Sequence, residues 1–589
     1  MKVCYCNAMS VFTGIFYFLL LVGILIFIHE GGHFIFAKLF GVKVHVFSLG
    51  MGPRLFGFRK GDTDYRISAV PIGGYVRMLG EDPGEETGAG ELSQSIQGIA
   101  PWKKIIIYAA GPAMNLIFPL FLYFFLALGQ KALPPAEIGV VLKNSPAEKA
   151  GLATGDEVVA INDSPVYSFN HMVELIQSRA NQKISLTVKR DGEYLQVPIT
   201  PDAKTIAKYQ IPFLRHIDAV RGQIGIIGIY PNTIVSVRKD HNIKGVPEGL
   251  QTFDKITRID NRPVEKLIEV EKALREARGK TVSIQFLRLK NKLPDSLFPN
   301  AREVAAIDMS KQPSVFEKEP QSISYSVPAD FIDLSGIGIG SATSFVLNVT
   351  AGGPADRIGL QRGDELIAVD GKQLNPYDIL SRLLVVNESG SDTKTHSLSW
   401  LRDGRTFTAD YKADFFSAGT KKELGVEDDI IDPGFHIRPF SEEWFGISPA
   451  PIPNLHKGSY ALYMAVSQTL FWSEVILDVL KSVVTGNISP KAFSGPIGIG
   501  HAAAQVGQEG PGAFFGFMGF VSLNLGLMNL LLPIPILDGG RLLLIVTEVI
   551  MRKRLSNRTQ ERILVTGAIM TIMLMVWAVI MDIARLFVG

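Results

Sequence analysis

His29-Glu30-Gly31-Gly32-His33 follows without a break on Met9–Ile28, a nearly uninterrupted apolar run, and the reading of that junction decides the fold. A run of about 20 apolar residues is what a helix needs to cross the hydrocarbon of a bilayer. If the helix continues through the motif, the i, i+4 spacing sets both imidazoles one turn apart on one face, where they fit two neighbouring positions on a zinc ion. Glu30 sits one residue along, placed to accept a proton from a water at the metal. As a bare pattern on a soluble helix this spacing is only moderately specific, the alternative being two surface histidines. Here each ionisable group costs at least ~2.5–3.5 kcal/mol in the membrane and normally marks function. Neutral imidazoles on a metal relieve most of that burial penalty. A signal peptide fits poorly, because the run is long for one and lacks an A-x-A-like cleavage site.

Three further apolar runs, Ile105–Leu128, Phe514–Leu537 and Ile563–Val588, bring the expected spans to four. The loop after the first carries Arg54, Arg59, Lys60, Arg66, Arg77, Lys103 and Lys104; the connection between the third and fourth carries Arg552, Lys553, Arg554, Arg558 and Arg562. The positive-inside rule places both in the cytoplasm, so both termini and the stretch from Gln130 to Pro511 are expected on the other side. Tyr460–Val484 is apolar too, but Glu474, Asp478 and Lys481 share one helical face, which predicts an amphipathic helix lying in the interface. Zinc used in catalysis takes three protein ligands and keeps one position open. Asp538, in Pro533-Ile534-Pro535-Ile536-Leu537-Asp538-Gly539-Gly540-Arg541, falls near the inner end of the third run as His29 does of the first, so the depths agree. Its plain alternative role is a helix cap ahead of Gly539.

Length and composition set the frame. The 589 residues exceed a single core, which stops growing near ~250–300 residues. A net charge of +2 leaves no basic footprint for nucleic acid. Cys4 and Cys6 are too close together in an extended segment to staple a fold. Within the long insert, Gly151-Leu152-Ala153-Thr154-Gly155-Asp156 recurs as Gly359-Leu360-Gln361-Arg362-Gly363-Asp364 and, degraded, as Gly249-Leu250-Gln251-Thr252-Phe253-Asp254. Each phrase leads into a short alternating strand and then a helical stretch. These segments resemble PDZ domains of the bacterial type, the middle one weakly. Such a domain binds an extended peptide by strand addition; as a plain alternative the modules are rigid spacers or steric filters.

The motif on a first span, followed later by Asn529 and the Pro533–Arg541 segment, resembles the site-2 protease family, and within it the bacterial regulator-of-sigma-E protease type with PDZ domains between its second and third spans. The resemblance runs in order through Pro71-Ile72-Gly73-Gly74-Tyr75, Gly111-Pro112-Ala113-Met114-Asn115, the insert and Ser494-Gly495-Pro496-Ile497-Gly498. It implies a zinc-dependent intramembrane endopeptidase with Glu30 as catalytic base and His29, His33 and Asp538 as metal ligands. Substrates would be single-span membrane proteins, as in anti-sigma factor release or signal-peptide remnant removal, and the setting a bacterial inner membrane with the modules on its periplasmic side. A re-entrant β-hairpin is expected over Val42–Leu79, where a plain cytoplasmic hairpin is the alternative. Three leucines separate Asn529 from Pro533, where the family has two residues. Substrate contact is thus open among Asn529, Asn524 and Asn115, with Pro533 and Pro535 beside them. The expected fold is a four-helix membrane core with PDZ-like α+β modules outside. The segments are 1–130 (core), 131–215, 222–315 and 330–425 (modules), 455–490 (interfacial helix) and 491–589 (core). A non-proteolytic PDZ-bearing membrane scaffold is the alternative function.

Overall fold

The computed structural model describes residues 8–81, 91–209, 214, 217–238, 243, 245–294, 297–298, 312–374, 393–415, 431–439, 444, 446–488, 495–553 and 555–588. The chain forms two compact units: Met1–Ala132 with Tyr209–His216 and Pro453–Gly589, and Leu133–Lys208 with Ile217–Ile452.

The first unit is a helical bundle carrying one small sheet. Helix α1 (Ala8–Leu39) runs unbroken through the histidine motif, and its 32 residues give a length of about 48 Å. Helix α2 (Pro101–Leu128) opens with Pro101 in its first turn, where no amide partner is needed. Then follow α3 (Lys457–Val484), α4 (Pro496–Glu509), α5 (Pro511–Leu531), α6 (Asp538–Met551) and α7 (Asn557–Val588). Four stretches are long and apolar enough to cross a membrane: Thr13–Leu39, Pro101–Leu128, Pro511–Leu531 and Arg558–Ile583. The third ends at Leu531, short of the expected Leu537. Leu532 precedes Pro533 and is extended, as the proline ring demands of its neighbour.

Leu21 and Leu25 of α1 pack with Ala503 of α4 and Phe514, Met518 and Val521 of α5. Tyr123 of α2 packs with Ala465 and Ile476 of α3 and with Leu523 of α5. The opposite face of α3 exposes Leu462, Val466, Leu470 and Leu477, and its Asp478 accepts a hydrogen bond from Tyr209 Oη at 2.8 Å. Helix α4 is built from small residues and no hydrophobic stripe announces it. Its N-terminus is held by Asp582 of α7, whose buried carboxylate accepts from the backbone N–H groups of Gly495, Ile497 and Gly498 at 2.8–3.0 Å. The charge that interrupts the last apolar run therefore has a partner in the bundle.

Strands β1 (Val44–Lys60) and β2 (Thr63–Met78) fold back on themselves. Val46, Phe47, Ser48 and Leu49 each pair twice, with residues 74–77 on one side and with 64–67 on the other, while 56–60 pair with 63–67. The expected hairpin is thus a four-segment sheet with 74–78 as an outer strand, in which 46–49 runs antiparallel to 74–77 and in the same direction as 64–67. Met51, Leu55, Phe56 and Phe58 at its far end are exposed.

The second unit contains three four-stranded antiparallel sheets of the same strand order and the same offset. In the first, Glu157–Ile161 is flanked by Ser164–Pro165 and Ile184–Arg190, with Glu193–Ile199 outermost. Lys255–Ile259 and Glu365–Val369 hold the corresponding place in the others. Each sheet carries the same clamp. Arg190 grips Asp156 through Nε and Nη2 and reaches the Gly151 carbonyl. Arg288 does so with Asp254 and Gly249, and Arg402 with Asp364 and Gly359. The aspartate and the first glycine of the recurring phrase are thereby joined by an arginine from a distant strand.

Candidate metal centre

Two close approaches between helices build the centre. Gly32 packs its α-carbon against α2 so tightly that a Cβ there would lie 2.5 Å from the Ala110 carbonyl oxygen, and a Cβ on Gly111 would lie 2.2 Å from His33 Nε2. The α1 and α2 backbones therefore approach at glycines on both sides. In the same region of α2, Pro112 cannot donate to the carbonyl one turn back and its ring crowds that turn. One residue before the carbonyl that Pro112 leaves unpaired, the Ile107 carbonyl accepts a hydrogen bond from His33 Nδ1 at 2.8 Å. A carbonyl only accepts, so Nδ1 carries the proton and Nε2 presents its lone pair.

His29 Nε2 lies 3.3 Å from His33 Nε2. Asp538, in the first turn of α6, places Oδ2 3.1 Å from His29 Nε2 and Oδ1 3.4 Å from His33 Nε2. A tetrahedral zinc with ligands at ~2.0–2.1 Å requires neighbouring donor atoms about 3.3 Å apart. His29, His33 and Asp538 bring donor atoms to that spacing, the carboxylate meeting one imidazole with each of its oxygens, and they are the only three such groups gathered this way among the described residues. The donor set thus fits zinc, and His29, His33 and Asp538 line a cavity of about 200 Å³.

Glu30, Asn529, Tyr108 and Arg541 line this cavity beside the ligands, and the outer strand of the sheet contributes Gly74, Tyr75, Val76 and Met78. At Gly74 a Cβ would meet Ile26 at 2.4 Å and Glu30 Cγ at 3.1 Å, so only glycine lets the strand pass this close to Glu30. Arg541, one turn beyond Asp538, forms an ion pair with Glu81, whose other carboxylate oxygen accepts from the Met78 N–H at 3.1 Å. Its guanidinium also stands 5.3 Å from the centre of the Tyr108 ring.

The chain order therefore brings His29, Glu30, His33, Asp538 and Asn529 together. Asn524, Pro533 and Pro535 lie off the cavity wall, Pro535 packing against Gly567 of α7. Asn115 stands behind His29, its amide nitrogen 3.2 Å from Nδ1. Neither the Ile107 carbonyl nor the Glu81–Arg541 pair was expected from the sequence, and Gly111 figured there only as part of the 111–115 segment. Only the small residues Gly32 and Gly111 offered a readable signal, as sites of close helix approach.

A helical bundle with spans of membrane length and a His-Glu-His-Asp metal centre between its helices defines a membrane metalloprotease. The model of peptidase family M50 matches residues 17–574, and the chain belongs to this family, the site-2 proteases, which are zinc-dependent. A protein of Chlamydia trachomatis named "Putative zinc metalloprotease" is 26% identical over 97% of this chain and 98% of its own length. A relative of the same name from Thermotoga maritima is 26% identical over 97% and 99%. One from Helicobacter pylori is 37% identical over 33% of this chain and 57% of its own.

Proposed function

We propose that the chain is an intramembrane endopeptidase in which His29, His33 and Asp538 hold zinc and Glu30 is the catalytic base. The observation that carries this reading is the convergence of two imidazoles from α1, inside an apolar stretch of membrane length, and one carboxylate from α6, with donor atoms 3.1–3.4 Å apart. Zinc, when bound, supplies a Lewis acid that makes water nucleophilic near neutral pH and polarises the scissile carbonyl. Glu30 takes the proton of the attacking water and returns it to the leaving nitrogen. Asn529 is placed to donate to the substrate carbonyl from the cavity wall.

A helical substrate hides its carbonyls in its own hydrogen bonds, so cleavage requires an extended segment. The outer strand 74–78 borders the cavity and offers a backbone to which such a segment adds. The exposed Met51, Leu55, Phe56 and Phe58 at the other end suit a sheet that re-enters the membrane. The substrates in this reading are single-span membrane proteins, and the process regulated intramembrane proteolysis. The three sheet modules of the second unit are read as PDZ-like domains on the periplasmic side of a bacterial inner membrane. There they take peptide ends or filter substrates by size, an orientation drawn from the cationic loops near residues 54–104 and 552–562. Helix α3, with one packed face and one exposed apolar face, is read as lying in the interface.

Purified protein and its Glu30→Gln variant, incubated with single-span proteins and read by mass spectrometry, test the proposal. Products are expected with the wild type alone and with zinc content equal in both. Cleavage by the variant would remove Glu30 from its role.

A further inference from the structure

We infer that Asn115 is a positioning residue for the metal centre: its side-chain amide sets which nitrogen of His29 carries the proton and so prepares Nε2 as a ligand. The inference rests on the proposed ligand set and extends it to a residue of another helix.

The two histidines are held in different ways. His33 Nδ1 meets a backbone carbonyl, which accepts and never donates, so in the neutral ring the lone pair is always on Nε2. His29 Nδ1 meets a side-chain amide at 3.2 Å, and an amide has one donating and one accepting end of nearly the same shape. With the NH2 end toward the ring, Nδ1 accepts and the proton sits on Nε2, 3.1 Å from Asp538 Oδ2. That arrangement is an imidazole–carboxylate hydrogen bond and excludes a metal from Nε2. With the carbonyl end toward the ring, Nδ1–H donates to Oδ1, and the Nε2 lone pair joins that of His33 at the vertex between the ligands. Zinc on Nε2 therefore requires the second orientation.

The surroundings of Asn115 point the same way. Asn115 is only 1% exposed, and with its nitrogen toward His29 its Oδ1 is buried with no hydrogen-bond partner. A buried unpartnered amide oxygen costs on the order of 1–3 kcal/mol, and turning the amide gives that oxygen the Nδ1–H of His29. The backbone at this position is fixed independently, since the Asn115 carbonyl accepts from Ser522 Oγ of α5 at 2.8 Å. The side chain thus turns on a fixed anchor. Asn115 does not line the cavity, so its contact is with the ligand and not with substrate.

Groups that hold the second nitrogen of a metal-bound histidine are worth ~10–100-fold in metal affinity. The test measures zinc affinity of the full-length detergent-purified protein by competition with a chromophoric chelator, which needs no substrate and no turnover. Asn115→Leu should bind zinc ~10–100-fold more weakly, and Asn115→Asp, whose carboxylate accepts from Nδ1–H as the turned amide does, should bind at least as tightly as wild type. Asn115→Ala is read in the same way where leucine prevents purification, and equal unfolding midpoints in excess chelator show that the fold is intact. Zinc affinity of the leucine or alanine variant within threefold of wild type would overturn the inference, as would an aspartate variant as weak as leucine. Asp538→Ala separates the two levels of argument. Loss of stoichiometric zinc there with unchanged affinity in the Asn115 variants refutes the role of Asn115 alone, whereas full zinc retention refutes the ligand set and the inference with it.

Discussion

Gly111 leaves His33 its place: a Cβ on the glycine would stand 2.2 Å from His33 Nε2. Gly111→Ala must push the imidazole aside, and a shift well under 1 Å already spoils a tetrahedral site. Zinc affinity is expected to fall at least tenfold while the helix content stays, a result readable by metal analysis of the purified protein together with circular dichroism.

The two glycines inside the motif should behave in opposite ways. Nothing lies within 4 Å of a Cβ built on Gly31, whereas one on Gly32 would meet the Ala110 carbonyl oxygen at 2.5 Å. Gly31→Ala is therefore expected to keep zinc and stability. Gly32→Ala overpacks the contact between α1 and α2 and should cost about 1–3 kcal/mol, seen as a lower unfolding midpoint in detergent.

Asp582 holds three backbone N–H groups at the start of α4. Removing a buried charged acceptor leaves those donors without it and costs on the order of 2–3 kcal/mol. Asp582→Ala should loosen α4 from α1 and α7, and limited proteolysis should cut near Gly495 faster than in the wild type, with metal content preserved.

Much of this was legible from residues close in sequence. The histidine motif declares itself because helical spacing and membrane burial are both local properties, and Asp538 because its depth follows from counting along an apolar run. The recurring glycine–aspartate phrase announced the modules of the second unit. Their clamps stayed hidden, since Arg190, Arg288 and Arg402 lie 34, 34 and 38 residues from their aspartates and an arginine in an alternating strand looks solvated. The sheet of residues 44–78 was expected as one hairpin because alternation specifies strands and not how a strand doubles back. Asn115 was read from the sequence as a candidate for substrate contact, whereas the structure sets it against His29. Its partner is fixed by the meeting of α1 and α2, which no single segment encodes.

The clamps differ in exposure, and that orders their variants. Each aspartate is 1% exposed, but the arginine side chains are 35% exposed at 190, 21% at 288 and 25% at 402. Solvent weakens an ion pair, so replacement by lysine, which loses the bidentate grip, should lower stability most at 288 and least at 190. Thermal unfolding of the three single variants checks the ranking.

Asp370 accepts from His396 Nδ1 and the Ser397 N–H, both at 2.9 Å, and the bond to His396 above all holds its carboxyl below the ordinary value. A folded pKa below the unfolded one contributes stability that is complete above the ordinary carboxylate range and is lost as pH falls through the lowered value. His396→Leu should accordingly flatten the decline of the unfolding midpoint below about pH 5, measured by calorimetry against the wild type.

The ligands come from opposite ends of the polypeptide, and translation runs in one direction. Roughly 500 residues must follow His29 before Asp538 exists, which at ~5–20 residues per second takes about 25–100 s. During that interval the newly inserted N-terminal helices carry two imidazoles and a base with no third ligand beside them. A nascent chain thus lacks the proposed centre until Asp538 has been made, and a ribosome that stalls anywhere between His29 and Asp538 leaves a product without it.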